Sequence, residues 1–260
     1  MRGALVCGTS GWQYREFRGA FYPEELRSAD LLRYYSERFS AVEVNSTFYH
    51  FSRPSTFAKW RGETPDHFSF AIKANRYFTH FHRLGDPEDR MPAFIESLDA
   101  LGDKLGPILF QLPPSLHFDP DRLEAFIERL PREDRLRYVF EFRHPTWDCD
   151  ETYEILSRSN VAICVYDLRG YQSPPMLTAN FGYVRLHGPL KQPYRGSYSD
   201  EALQTWAKRL KKWTGSGRDA FIFFDNTMTA DAIPNAEFLI RAFAREGSPP
   251  RLHPEPMMPL

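Results

Sequence analysis

Cysteine is scarce in this sequence. Its three cysteines, Cys7, Cys149 and Cys164, are odd in number and widely spaced, and they form no CxxC pair. That spacing argues against a disulfide scaffold and against a structural zinc site. Long apolar runs are missing as well. No stretch approaches the roughly 18 residues of a membrane span. The apolar run between Met1 and Gly8 is too short for the core of a signal peptide. The expectations are a reducing cytoplasm and no membrane partner. Net charge is also close to absent. The 33 Lys and Arg face 34 Asp and Glu, leaving −1 at pH 7. This excludes a globally basic nucleic-acid coat, though not a local basic site. Several catalytic signatures are lacking too. There is no HExxH or EF-hand spacing, no P-loop lysine, no GxGxxG and no GxSxG nucleophile elbow.

Aromatic residues are what the chain has in excess: 22 Phe, 13 Tyr and 5 Trp. Either the core is aromatic or a cleft is lined with rings. Short β-rich apolar runs recur near Ala4–Gly8, Ala41–Asn45, Phe68–Lys73, Ile108–Leu112, Tyr138–Arg143, Val161–Tyr166, Tyr183–His187 and Phe221–Asn226. Helix-like patterns separate most of them. Asp119-Pro120 reads as an N-cap with proline at the first helical position. It leads into the stripe Leu123, Phe126, Ile127 and Leu130. A second stripe, Leu203, Trp206, Ala207, Leu210 and Trp213, has Lys208, Arg209, Lys211 and Lys212 on its other face. Helical spacing assigns those tryptophans to the core and the basic face to solvent.

Eight strands alternating with helices predict an α/β chain with a single-domain (βα)8 TIM-like barrel over residues 1–247; an open doubly wound sheet is the alternative. The Pro-rich stretch 248–260 reads as a loose tail. Because side chains alternate faces along a strand, the large apolar set of each run is assigned outward, beneath the helices. The other parity then points into the barrel. It comprises Ala41, Glu43 and Asn45; Ser69, Ala71 and Lys73; Leu109 and Gln111; Val139, Glu141 and Arg143; Ala162, Cys164 and Tyr166; and Tyr183, Arg185 and His187. For the last run the choice between Asp225 and Asn226 stays open. The inward polar groups collect at strand C-termini, where barrel active sites lie. Ionic groups there are costly unless paired or wet. They either neutralise one another or surround a polar ligand.

Other features carry alternatives. His144 and His187 are metal ligands or, more simply, hydrogen-bonding or substrate-contacting groups. Gly8-Thr9-Ser10-Gly11 offers backbone N–H groups to an anion. Trp12, Phe48, Tyr49 and Trp147 follow strand ends; their rings either stack on a ligand or roof the core.

At these same residues the sequence resembles the DUF72 (YecE-like) family. The matching stretches include Gly8-Thr9-Ser10-Gly11-Trp12, Phe21-Tyr22-Pro23 and Val42-Glu43-Val44-Asn45-Ser46-Thr47-Phe48-Tyr49. Thr79-His80, Arg83-Leu84, Gln111-Leu112-Pro113-Pro114 and Glu141-Phe142-Arg143-His144-Pro145-Thr146-Trp147 follow. Arg185-Leu186-His187-Gly188 and Asn235-Ala236 complete the set. Where the family usually has Phe-Asn-Asn, this chain has Phe224-Asp225-Asn226, adding a carboxylate. The resemblance implies a barrel fold with its site at the strand C-termini, but no established reaction. It also implies a barrel similar to those of the endonuclease IV and sugar-isomerase group, whose metal ligands do not carry over residue by residue. A divalent metal is therefore not the favoured cofactor.

The functional expectation is an enzyme with acid–base chemistry on a phosphorylated or nucleic-acid-derived ligand, with no obligate protein partner. Lys73, Arg143 and Arg185 would bind phosphate. Glu43 or Glu141 would be the base, and His144 or His187 the acid. Ser10, Asn45, Gln111, Tyr166 and Asn226 would orient the ligand, and Trp12, Tyr49 and Trp147 would stack on it. One alternative is a sugar- or polyol-acting barrel enzyme. Another is a non-catalytic nucleic-acid-binding module using Lys191, Arg195 and the Lys208–Lys212 face.

Overall fold

The computed structural model describes residues 2–85 and 90–245. The Pro-rich tail lies outside the described residues. Nine strands form one sheet: β1 (Leu5–Ser10), β2 (Ala41–Val44), β3 (Ser69–Lys73), β4 (Leu105–Gln111), β5 (Tyr138–Glu141), β6 (Ala162–Leu168), β7 (Tyr171–Gln172), β8 (Phe181–Leu186) and β9 (Asp219–Phe224). Their order is β5-β4-β3-β2-β1-β9-β8-β6-β7, and a further β5–β6 pairing closes the ring. All ladders of that ring are parallel. The result is a single-domain, closed eight-stranded barrel of the TIM type; β7 stands outside the ring as a hairpin arm.

Among the described residues, eight α-helices lie between or after the strands. They are α1 (Leu31–Ser36), α2 (Ser46–Tyr49), α3 (Pro54–Gly62), α4 (Arg90–Leu98), α5 (Pro120–Glu128), α6 (Asp150–Arg158), α7 (Asp200–Gly215) and α8 (Ala232–Arg245). The capping chemistry expected of Asp119 is present: its side chain accepts from the Arg122 N–H and Pro120 opens α5. Ser199 caps α7 in the same way, through the Ala202 N–H. The α7 stripe from Leu203 to Trp213 is buried.

The parity reading separates two cores. Phe68, Phe70, Ile72, Phe110, Tyr138, Phe140, Val184 and Leu186 join the layer between barrel and helices. Ala41, Ala71, Leu109, Val139, Ala162, Cys164, Phe181, Tyr183, Phe221 and Phe223 fill the barrel interior. Most of the aromatic excess therefore belongs to the core, where rings bury large areas and meet edge-to-face.

One crossover departs from the alternation. Between β6 and β8 there is no helix. The chain instead turns back on β6, pairing Asp167 with Gln172 and Leu168 with Tyr171. Arg169 and Gly170 both take positive φ, 56° and 82°, as a two-residue hairpin turn of type I′ requires. This arm stands over the mouth of the barrel and forms one wall of the cleft described next.

Candidate active site

Each inward strand end delivers one polar side chain to the mouth of the barrel. Parallel register puts Ser10 level with Glu43, Gln111 with Glu141, and Tyr166 with Arg185. Arg185 lies at the centre and is 1% exposed. Its Nε donates to both oxygens of Glu43, at 3.1 and 2.9 Å. Its Nη1 donates to Glu141 Oε2 at 2.7 Å. Its Nη2 donates to Glu43 Oε1 at 2.7 Å and to Asp225 Oδ2 at 3.0 Å. The planar fork of an arginine suits this multiple pairing, and all three of its nitrogens are engaged. Glu43 is completed by Ser10 and Tyr183, whose hydroxyls donate at 2.7 Å each.

A second arginine extends the network outward. Arg143 pairs through Nη2 with Glu141 Oε1, and the same nitrogen lies 3.1 Å from His187 Nε2. Arginine has only donors, so His187 Nε2 accepts. The imidazole proton then sits on Nδ1 and is donated to Asp225 Oδ2 at 2.8 Å. With His187 in that neutral form, Glu43, Glu141 and Asp225 balance Arg143, Arg185 and Lys73, three charges against three.

The electrostatics follow from this packing. Burial pushes the Glu141 carboxyl upward, but Arg143 and Arg185 beside it more than reverse this and hold it well below the usual range. Asp225 is held down in the same sense: burial raises it, and Arg185 and His187 lower it further than that. Lys73 moves the other way. Burial and the nearby Arg185 guanidinium outweigh the carboxylates and bring its ammonium down to about 8.

Beside the network a cleft of about 580 Å³ opens above the ends of β4, β5 and β6. Gln111, Arg143, His144, Tyr166, Arg169, Tyr171 and Tyr194 line it. The Arg143 guanidinium lies 5.0 Å from the centre of the Tyr166 ring, and its Nε, though buried, has no hydrogen-bond partner among the described residues. A second hollow, about 840 Å³, lies at the opposite end of the barrel. There Arg137 pairs with Asp219 and covers the Phe221 ring.

Several residues occupy places other than those expected from sequence. Arg185 is buried and held by Glu43, Glu141 and Asp225 through all three of its nitrogens, so it faces carboxylates where a phosphate was expected. The neutral His187 offers no free proton to a ligand, since its Nδ1–H is held by Asp225. Trp147 is buried, stacked on Phe142 at 4.4 Å, with Nε1 donating to the Leu116 carbonyl. Trp12 is buried edge-on against Trp60. Both roof the core and offer no exposed stacking face. Asn226 pins a loop, donating to Gly196 O and Asn235 Oδ1. Parity now assigns Asp225, not Asn226, to the inward set. The Gly8–Gly11 turn does not present free donors: the Thr9 N–H goes to Tyr35 and the Gly11 N–H to the Glu43 carbonyl. His144 is stacked on His117 at 3.8 Å. Asn45 is half-buried with Oδ1 unpartnered, while Gln111 donates to the Leu112 carbonyl. Tyr49 is 57% exposed.

Sequence reasoning missed Arg169, Tyr171 and Tyr194, which come from the arm and from the loop after β8. Strand parity does not extend into such loops. His80 and His82 have the spacing of a metal pair, but their rings pack on Phe48 and Tyr77. Among the described residues no group of three His, Cys, Asp or Glu is placed to hold a metal.

The profile of the family described as "Protein of unknown function DUF72" matches residues 6–259. The chain belongs to the DUF72 family. It is 28% identical to UPF0759 protein YunF of Bacillus subtilis, across 91% of this chain and 93% of that protein. The crystal structure of the DUF72 family protein TM1631 from Thermotoga maritima superposes with a TM-score of 0.81. That alignment has 28% identity and covers 94% of this chain and 98% of the other. A more distant barrel shares the fold alone. It is the xylose isomerase-like TIM barrel/4-hydroxyphenylpyruvate dioxygenase fusion protein, at 13% identity and a TM-score of 0.52; the alignment covers 98% of this chain and 46% of the fusion. In this DUF72 chain the family stretches Gly8–Trp12, Val42–Tyr49, Glu141–Trp147 and Arg185–Gly188 all contribute to the network. Gly188 is needed where it stands: its φ is 99°, and a Cβ there would lie 2.3 Å from the Arg195 carbonyl oxygen. No helix among the described residues is long and apolar enough to cross a membrane.

Proposed function

We propose that the chain is an enzyme acting on a phosphorylated or nucleic-acid-derived ligand held in the cleft above β4–β6. One observation carries this reading: the environment of Arg143. Its guanidinium joins the buried network to the cleft wall, lies over the Tyr166 ring and keeps an unpartnered Nε. Such a group offers an oxyanion a charge-assisted hydrogen bond and a planar moiety a face to stack against. Arg169 adds a second cation at the cleft. The carboxylates behind Arg143 fix its position, and positioning of this kind is what a preorganised anion site needs.

The test is calorimetric titration with adenosine monophosphate and with inorganic phosphate. The expectation is binding that weakens at least tenfold in Arg143→Gln, a loss of roughly 1.5–3 kcal/mol for one hydrogen bond to a charged group. Equal affinity in the variant, or preference for a neutral polyol over both anions, would overturn the reading.

A second reading is a binding surface for single-stranded nucleic acid. It is supported by Arg76, whose guanidinium lies 5.7 Å from the Tyr49 ring and 5.1 Å from the Phe81 ring. Both rings are exposed, at 57% and 65%. Salt-dependent oligonucleotide binding that is lost in Phe81→Ala would favour it.

A further inference from the structure

Lys73 is out of pattern with the other cations at the mouth of the barrel. Arg185 and Arg143 are both paired with carboxylates. The buried Lys104, elsewhere in the fold, donates to the Arg61 and Thr64 carbonyls. Among the described residues, nothing hydrogen-bonds or ion-pairs with the Lys73 ammonium. Its neighbour is the face of Phe48, whose ring centre lies 4.2 Å from Nζ. The residue as a whole is half-buried, and Nζ is not sealed from solvent.

This placement follows from the fold. Lys73 ends β3 on the inward parity, one strand from Glu43. Both oxygens of Glu43 are already occupied by Arg185, Ser10 and Tyr183. The charged and titratable groups that face Lys73 are Glu43 from β2, Glu141 from β5, Arg185 from β8, Asp225 following β9, and His80 after β3. Each carboxylate in that set is held by a guanidinium. An amine left without a fixed partner, partly withdrawn from water and beside the Arg185 guanidinium, is in the environment that favours the free base. Arginine at this place would stay charged at any pH; lysine does not.

We propose that Lys73 is a nucleophilic amine of this site and takes a carbonyl compound, an aldehyde or ketone, as a Schiff base. The uncharged Nζ attacks the carbonyl carbon and forms the C–N bond. Two protons pass from nitrogen to the carbonyl oxygen, which leaves as water, and C=N replaces C=O. No oxidant or reductant takes part. The depressed proton affinity of the amine, near pH 8, makes the free base available close to neutrality. The inference stands on Lys73 and Phe48 and does not depend on anion binding at Arg143.

The test is reductive methylation of the native protein with formaldehyde and cyanoborohydride, mapped by peptide mass spectrometry. The chain has only seven lysines, at 59, 73, 104, 191, 208, 211 and 212, so each is resolved. At pH 7.5 Lys73 is expected to react roughly tenfold or more faster than the exposed Lys59, Lys208 and Lys212, because free amine is far more abundant at a pKa of 8 than at the ordinary 10.4. Its rate should rise through an inflection near pH 8. Lys73→Arg, which keeps the charge, should lose the fast site and leave the other lysines unchanged. A Lys73 rate at or below that of the surface lysines, or an inflection above pH 10, overturns the proposal. The reagents are small and carry no phosphate. A failure of nucleotide binding with Lys73 still fast removes only the anion reading, and the reverse result removes only this one.

Discussion

The mouth of the barrel is set by single residues whose roles are not interchangeable. Glu141 accepts from Arg185 and pairs with Arg143, in a fully buried place. Glu141→Gln keeps the shape but leaves two guanidiniums short of one negative charge. Removing one partner of a buried ion pair typically costs about 3–5 kcal/mol. A loss of that size is expected in denaturant unfolding at pH 7. The pH dependence has a defined sign. Glu141 and Asp225 are depressed below their unfolded values. Their contribution is complete above the unfolded carboxylate range, near about pH 4, and is lost as pH falls through the folded values. The stability gap between wild type and Glu141→Gln should therefore narrow below about pH 4. A gap constant from pH 7 to pH 3 contradicts this assignment.

At the scale of elements, the helices were legible because their signals are local. Asp119 caps α5 by bonding the N–H three residues on, and no distant part of the chain is needed for that. Asp119→Ala should lower stability by about 1 kcal/mol, read by chemical denaturation, whereas Asp119→Ser should lose little. The α7 stripe was equally readable, since Trp206 and Trp213 recur at helical spacing. The β6–β7 arm was not. Its strand has two residues, too short for periodicity, and it replaces the helix that alternation leads one to expect. Its turn pair Arg169-Gly170 is a weak signal on its own. Tyr171 and Arg169 consequently reached the cleft unannounced.

For the whole molecule, closure of the ring decides stability and site alike. The β5–β6 seam is the shortest ladder of the closed ring, with Val139–Ala162 and Phe140–Ile163 in register, against five pairs for β1–β9. Fewer shared hydrogen bonds mean a lower free energy for local opening. Amide exchange in the native state should be faster along this seam than along β1–β9; equal protection would refute the idea. The same seam carries Glu141 at its upper end, so anion binding at Arg143 should slow exchange there first.

By itself the sequence determined the alternation of strand and helix and the two faces of each strand. Both follow from backbone geometry, with a period of 3.6 for one element and 2 for the other. From these came the barrel, the outward aromatic layer and the inward set Glu43, Lys73, Glu141, Arg143, Arg185 and His187. Parity says where a charge points, not what meets it. Only the tertiary structure decided that Arg185 meets Glu43 across 142 residues of chain, that Asp225 rather than Asn226 completes the network, and that Lys73, among the described residues, has no hydrogen-bonding or ion-pairing partner. Those outcomes depend on how a closed ring brings distant strand ends together, and no local pattern encodes that distance.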